Sequence, residues 1–274
     1  MSSIRFKSFS SGSCGNCYFI GIFPEGSRRC EAGVLIDAGV SPRRLKKEFQ
    51  SEGLCFDDFG AVLITHDHMD HVRSLGSICK HIGKPVWATE RLHRALGFNP
   101  MTRDWIGQHK VLLAADGWSP IIPGRIKARP FIMPHDATET VGYAIMLDDF
   151  KFVIMTDIGQ MTDEALTWAR QADTVVIESN YDPEMLRLGP YPPDLQARIR
   201  GGNGHLSNPE CAASIAAFRH DGLRHIFLCH LSEHNNTPEL ARRTSLDAAA
   251  GIHLETLPRQ TASPLYILNN DMLK

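Results

Sequence analysis

Residues 66–71 read HDHMDH and bring His66, His68, Asp70 and His71 together within six positions. Alternate residues of an extended segment point the same way, so His66 and His68 can grip one cation from one side. Asp70 and His71 then face elsewhere. Nitrogen and hard-oxygen donors split into two pairs suit two adjacent divalent ions better than one closed tetrahedral site, and the cluster holds no Cys, which argues against structural zinc.

The residues that must position this cluster come just before it. Val62-Leu63-Ile64-Thr65 is a short apolar run that predicts a buried strand delivering a polar site at its C-terminal end. Three other apolar runs end in the same way, 131–133 before His135, 152–156 before Asp157 and 225–229 before His230. One such strand is common; four predict that strand ends converge at one edge of a layered structure. Val34-Leu35-Ile36 leads into Asp37, a carboxylate placed to orient a ligating imidazole.

Around these runs, 4–6 and 17–21 read as strands flanking an SSGSCGN turn, and Ser41-Pro42 starts a helix whose basic run Arg43 to Lys47 reads as a solvated face. Helices are expected over 72–82, 89–96, 209–219 and 238–250, with strands at 85–88, within 111–155, at 252–257 and at 265–268. Helices alternating with short apolar strands predict an α/β layered domain. The stretch 181–206, rich in Pro, Gly and Arg, reads as a long loop and a substrate-facing flap. No internal repeat stands out.

Composition narrows the class. The 274 residues, 43% hydrophobic and 22% charged, suit an ordinary globular protein with a sizeable core. No segment approaches the roughly 20 apolar residues of a spanning helix, and the N-terminus lacks a secretory apolar region, so no membrane partner and a cytoplasmic location are expected. Seven cysteines without framework spacing fit reduced thiols, and the Cys14-Gly-Asn-Cys17 pair has no partner pair of the same spacing. A net charge of -2 means that any contact with nucleic acid must come from a local basic patch or from metals.

The HxHxDH cluster resembles the signature of the metallo-β-lactamase superfamily. The opening SSGSCGNCY, LIDAG at 35–39, TDIG at 156–159, ESNYD at 178–182, GHLSN at 204–208 and HLS at 230–232 resemble the YycJ/WalJ family within it. Cys14 stands where that family usually has Ser, and Tyr181 where a His is common. The resemblance implies a four-layer αββα sandwich and one catalytic domain over 1–274, since 157–230 is too short for the inserted domain of β-CASP relatives. It further implies a first metal held by His66, His68 and His135, a second by Asp70, His71 and His230, and Asp157 bridging, with Asp37 in support.

What the resemblance implies for activity is a 5′-to-3′ DNA exonuclease linked to DNA repair, using hydroxide bridging two divalent ions, Zn, Mn or Fe. His68, where the di-iron oxygen-reducing branch carries Glu, argues against redox chemistry. Asp67, Asp70 and His205 are the candidate catalytic residues, His205 gripping phosphate or protonating the leaving oxygen. A Ser207/Glu210 capping box puts a helix N-terminus beside His205, so His205, Ser207, Asn208 and Ser232, with Arg187 and Arg198 of the flap, are the expected phosphate contacts; Arg200 lies in the same flap. The role of His234 stays open, and His81, His93, His109, His220, His225 and His253 read as ordinary. The rival readings are a phosphodiesterase for a cyclic nucleotide or tRNA end, a thioester or lactam hydrolase, and a non-catalytic metal-binding regulatory module. A homo-oligomer is left open, and DNA is the expected partner.

Overall fold

A computed structural model describes residues 2–269; Met1 and residues 270–274, the two ends of the expected 1–274 domain, lie outside the described residues. The first half of the chain builds β1 (Ser3–Gly12), β2 (Gly15–Phe23), β3 (Ala32–Ile36), α1 (Pro42–Ser51), β4 (Ala61–Leu63), α2 (Met69–Val72), α3 (Leu75–Ile82), β5 (Val86–Ala88), α4 (Glu90–Phe98), α5 (Arg103–Ile106) and β6 (Lys110–Leu112). The second half builds β7 (Ser119–Ile122), β8 (Ile126–Met133), β9 (Thr140–Leu147), β10 (Phe150–Met155), α6 (Asp163–Ala169), β11 (Thr174–Glu178), α7 (Pro183–Leu188), α8 (Pro193–Arg200), α9 (Asn208–Phe218), β12 (His225–Cys229), α10 (Pro238–Ala249), β13 (His253–Thr256) and β14 (Tyr266–Ile267).

The strands form two sheets, each with seven strands among the described residues, in the orders β14-β1-β2-β3-β4-β5-β6 and β13-β12-β11-β10-β9-β8-β7. Each sheet is antiparallel on one side and parallel on the other, with the change at β3 and at β10. The two halves thus repeat one topology, which only a short D-x-G echo (Asp37-Ala38-Gly39, Asp157-Ile158-Gly159) betrays in the sequence.

Side-chain alternation explains the layers. Phe152, Ile154, Val176, Phe227 and Cys229 pack into a core shared with Phe6, Tyr18 and Ile36 of the first sheet. Their neighbours Val153, Met155, Val175, Ile177, Ile226 and Leu228 pack instead under α6, α9 and α10 with Ala165, Ile215 and Ala241. Strands buried on both faces read as unbroken apolar runs, which is why β10 and β12 were legible; β11, a run of the same kind, was not read from the sequence. Leu45 and Phe49 of α1 and Leu75 and Ile78 of α3 join the core from the first sheet's side. Helices therefore flank both packed sheets, and the architecture is the αββα sandwich. Phe6 reaches across it, with ring centroids 5.3 Å from Phe152 and 5.2 Å from Phe227.

Two expectations need correction. The opening turn is shorter than read: β1 and β2 pair as far as Gly12 and Gly15, leaving Ser13 and Cys14 at the tip. There Cys14 is exposed while Cys17 is buried in β2, and both are free thiols. Nor is 181–206 a long loop. It contains α7 and α8, each with Pro at its start, and carries a small core of its own in which Tyr181, Leu186 and Ile199 are buried. Pro at the first helical turn, preceded at α7 by the capping Asp182, had the signature of a helix start, and composition masked it.

Candidate metal centre

The ends of β3, β4, β8, β10, β11 and β12 meet at one edge of the sandwich. Hydrogen bonds between the two halves tie that edge: Tyr143 Oη donates to Ile64 O at 2.5 Å, Val141 N to Thr65 O at 2.9 Å and His230 N to Ser11 Oγ at 2.9 Å. Three residues that leave strands there, Asp37, Asp157 and His230, have positive φ of 61°, 53° and 52°. Left-handed backbone costs a side-chain-bearing residue on the order of 1–3 kcal/mol, and such strain gathers where the fold must aim a functional side chain.

One group comprises His66, His68 and His135, whose ligand atoms lie within 4.8 Å of one another. His135 Nδ1 donates to Gly204 O at 2.8 Å, which turns its Nε2 inward. His66 Nδ1 lies 3.0 Å from the Thr65 hydroxyl, which in turn donates to Asp37 Oδ2 at 2.8 Å. His68 Nε2 faces Asp136 O at 3.3 Å, leaving Nδ1 as its available nitrogen. Burial, reinforced by the neighbouring imidazole of His71, holds His66 well below the usual histidine range, and burial also lowers His135. Both are neutral nitrogen donors.

Asp70, His71 and His230 form a second such group, and His66, His71 and Asp157 a third that joins the two. His71 Nδ1 donates to Asp37 Oδ2 at 2.7 Å, and its Nε2 lies 3.1 Å from Asp157 Oδ2 and 3.5 Å from Asp70 Oδ2. Burial opposes charge on His71, but Asp157, Asp37 and Asp70 outweigh it and push its pKa up to about 10. His230 is raised likewise, burial being overcome by Asp157, Asp70 and Glu178.

Four buried atoms in this cluster have no hydrogen-bond partner: His66 Nε2, His135 Nε2, Asp157 Oδ2 and His230 Nε2. An unpaired buried acceptor costs about 1–3 kcal/mol, and four of them facing one another fit a site completed by cations. The donor set of imidazole nitrogens and carboxylate oxygens fits a divalent transition metal.

Two residues of this centre escaped the sequence reading. Glu178, wholly buried at the end of β11, places Oε1 2.7 Å from His205 Nδ1 and 2.9 Å from His230 Nδ1, and its Oε2 accepts from Ile158 N at 2.7 Å. Burial would raise Glu178, yet His205 and His230 hold it down at about 2. Its signal was present, a fifth apolar run (Thr174 to Ile177) ending in a ligand type. Asn16, at the start of β2, donates to Asp70 Oδ2 at 2.9 Å and lies 2.8 Å from His71 Nε2. Nothing in its glycine-rich turn pointed to this.

An open cavity of about 250 Å³ lies over the cluster, with His68, Asp70, Asp157, His205 and His230 in its lining. Ser232 and Arg198 also line it, but Arg198 Nε donates to Asp136, so its charge is already paired. The other expected phosphate contacts are not brought to this cavity. Arg187 pairs with Glu184 at 2.5 Å on the surface. Ser207 Oγ donates to Glu210 Oε2 at 2.5 Å, and Asn208 is bonded to Ser179 and Asn236, so this helix N-terminus is closed by its own side chains. Asp67 accepts from Thr138 N at 3.1 Å and Oγ1 at 2.6 Å, a brace between two loops. His234 stands 5.9 Å from Tyr191, ring to ring.

Residues 33–231 match the family described as the Beta-lactamase superfamily domain. The chain is 33% identical over 246 residues to the Exodeoxyribonuclease YycJ of Bacillus anthracis, covering 87% of this chain and 86% of that protein. It is 32% identical over 276 residues to the Exodeoxyribonuclease WalJ of Streptococcus pneumoniae, covering 97% of this chain and 99% of that one. Among solved structures, the metallo-beta-lactamase fold protein YhfI from Bacillus subtilis superposes with a TM-score of 0.68 at 14% identity, over 95% of this chain and 99% of that one. The chain therefore belongs to the metallo-β-lactamase superfamily of metal-dependent hydrolases, within its YycJ/WalJ-like group.

Proposed function

We propose that the chain is a two-metal DNA exonuclease that removes nucleotides from a 5′ end in DNA repair. The observation that carries the metal-dependent part is the convergence of four unpartnered buried ligand atoms beneath one open cavity. DNA as substrate is supported by the names of the two relatives; the polarity and the repair role rest on the family resemblance alone. His66, His68 and His135 would hold one ion, Asp70, His71 and His230 the other, with Asp157 between them. A divalent pair supplies activation of water near neutral pH and neutralises charge on the attacked phosphate.

The chain's own groups do the rest. Asp37 and Glu178 fix the tautomers of His71 and His230, so that each ring turns Nε2 toward the shared centre. Glu178 also accepts a hydrogen bond from Nδ1–H of His205 and favours the doubly protonated ring, so Nε2–H of that cavity-lining ring would give its proton to the leaving oxygen and leave a neutral imidazole still bonded to Glu178. Arg198, tied to Asp136 at the rim, is placed to meet backbone phosphate only by exchanging that partner. End-labelled single-stranded and duplex DNA, with and without a 5′ phosphate, incubated with metal-loaded protein and with Asp157→Ala, tests the reading. Stepwise release of nucleotides from the 5′ end that is lost in the variant supports it; hydrolysis of a small phosphodiester without release from any DNA refutes the DNA reading and favours a small-substrate phosphodiesterase.

A further inference from the structure

The lining of the cavity is chemically two-sided. Against the imidazoles and carboxylates of its floor stand Tyr191, Leu195 and Ile199, supplied by α8 and the segment before it. These residues belong to a small separate core: Ile199 is buried with Tyr181 and Leu186, and Tyr191 and Leu195 pack against them half-buried. Gln196 Nε2 donates to Tyr191 O at 2.9 Å, and the Tyr191 ring stands at 80° to that of His234 with centroids 5.9 Å apart. The tyrosine is thus held from its backbone and from its ring while it lines the cavity. An apolar, aromatic wall beside a floor of cation-binding side chains is matched to the two parts of a nucleotide end, a flat base and the phosphate whose charge bound cations would neutralise.

We propose that Tyr191 is the specificity-determining residue for the nucleotide being removed: its ring, backed by Leu195 and Ile199, is the shelf on which the terminal base stacks once it leaves its neighbour. This rests on the exonuclease reading above. The apolar members of this wall have no side-chain hydrogen-bonding groups, so the shelf recognises that a base is present without reading which one it is. It follows that ends with an unpaired or easily frayed terminal base are preferred to blunt ends held by G·C pairs.

Wild-type protein, Tyr191→Ala, Tyr191→Leu and Tyr191→Phe, each metal-loaded, are compared on single-stranded DNA carrying either an ordinary terminal nucleotide or an abasic one. Stacking is worth about 1–3 kcal/mol per base, so Tyr191→Ala and Tyr191→Leu are expected to lose about 5- to 150-fold in kcat/KM on the ordinary end, chiefly through KM, while Tyr191→Phe stays within about two-fold. On the abasic end all four proteins are expected to be equally slow. Tyr191→Leu keeps an apolar side chain against the small core, so a loss shared by Tyr191→Ala alone, or an equal loss on both ends, overturns the shelf. If the wild-type protein releases nothing from any DNA yet hydrolyses a small phosphodiester, the exonuclease reading falls and the shelf with it.

Discussion

Oδ2 of Asp37 accepts the Nδ1 proton of His71 at 2.7 Å and, through the Thr65 hydroxyl, reaches Nδ1 of His66 as well. One carboxylate from the first sheet thereby aims an imidazole of each ligand group. Glu178 plays the matching part from the second sheet. Asp37→Asn keeps the size and tolerates the left-handed backbone at φ 61°, but it removes the charge that favours these tautomers. Metal affinity is expected to fall about 10- to 100-fold with little change in far-ultraviolet circular dichroism. Competition with a fluorescent chelator measures it, and unchanged affinity contradicts the arrangement.

Glu178 and His205 can be separated by experiment. His205→Ala is expected to lower kcat about 10²- to 10⁴-fold while leaving metal content intact, because its Nδ1 is engaged by Glu178 at 2.7 Å and stands 4.0 Å from Asp157 Oδ1, so that nitrogen is not offered to an ion. Glu178→Gln also disturbs His230, so it is expected to lower both kcat and metal content. Elemental analysis beside the rate measurement distinguishes the two; equal metal loss in both variants would mean that His205 is itself a ligand.

Gly39 sits where the first sheet's D-x-G turn passes the metal cluster. A Cβ there would lie 1.7 Å from Asp70 O and 2.5 Å from Asn16 N, both backbone atoms that cannot swing aside. Gly39→Ala is expected to cost about 3 kcal/mol or more and to displace Asp70. A urea midpoint and metal content like those of the wild type would contradict this.

Far from the centre, burial first, then His253 and Arg224, press His225 down to about 4 from its ordinary 6.5. The unfolded chain therefore takes up this proton first on acidification. Stability from keeping His225 neutral is intact above about pH 6.5 and is lost as pH falls toward about 4. His225→Gln is expected to flatten the acid side of the urea-midpoint profile across that window; a slope as steep as the wild type's would show that other groups set it.

What could be read in the sequence followed from local chemistry. Apolar runs ending in His66, Asp157 and His230 announced both the strands and the edge where they meet, and Ser41 and Ser207 marked helix starts where the structure has them. The capping box at Ser207 was legible too, although its consequence was not: the Glu210 carboxylate that completes the box closes the site a phosphate would use. Asn16 and Asp70 meet across 54 residues, and Arg198 and Asp136 across 62, so pairing of this kind is set by tertiary packing and leaves no local trace. Glu178 was missed for a different reason, since a single acid after an apolar run looks like the end of any strand.

The most direct test is to strip the protein with a chelator and follow release of nucleotides from 5′-labelled single-stranded DNA as Zn or Mn is returned in measured equivalents. Activity rising from nothing to a plateau near two equivalents per chain, with no recovery in Asp157→Ala, is the predicted result. Full activity in the stripped protein, or no release at any metal loading, would contradict a two-metal DNA exonuclease.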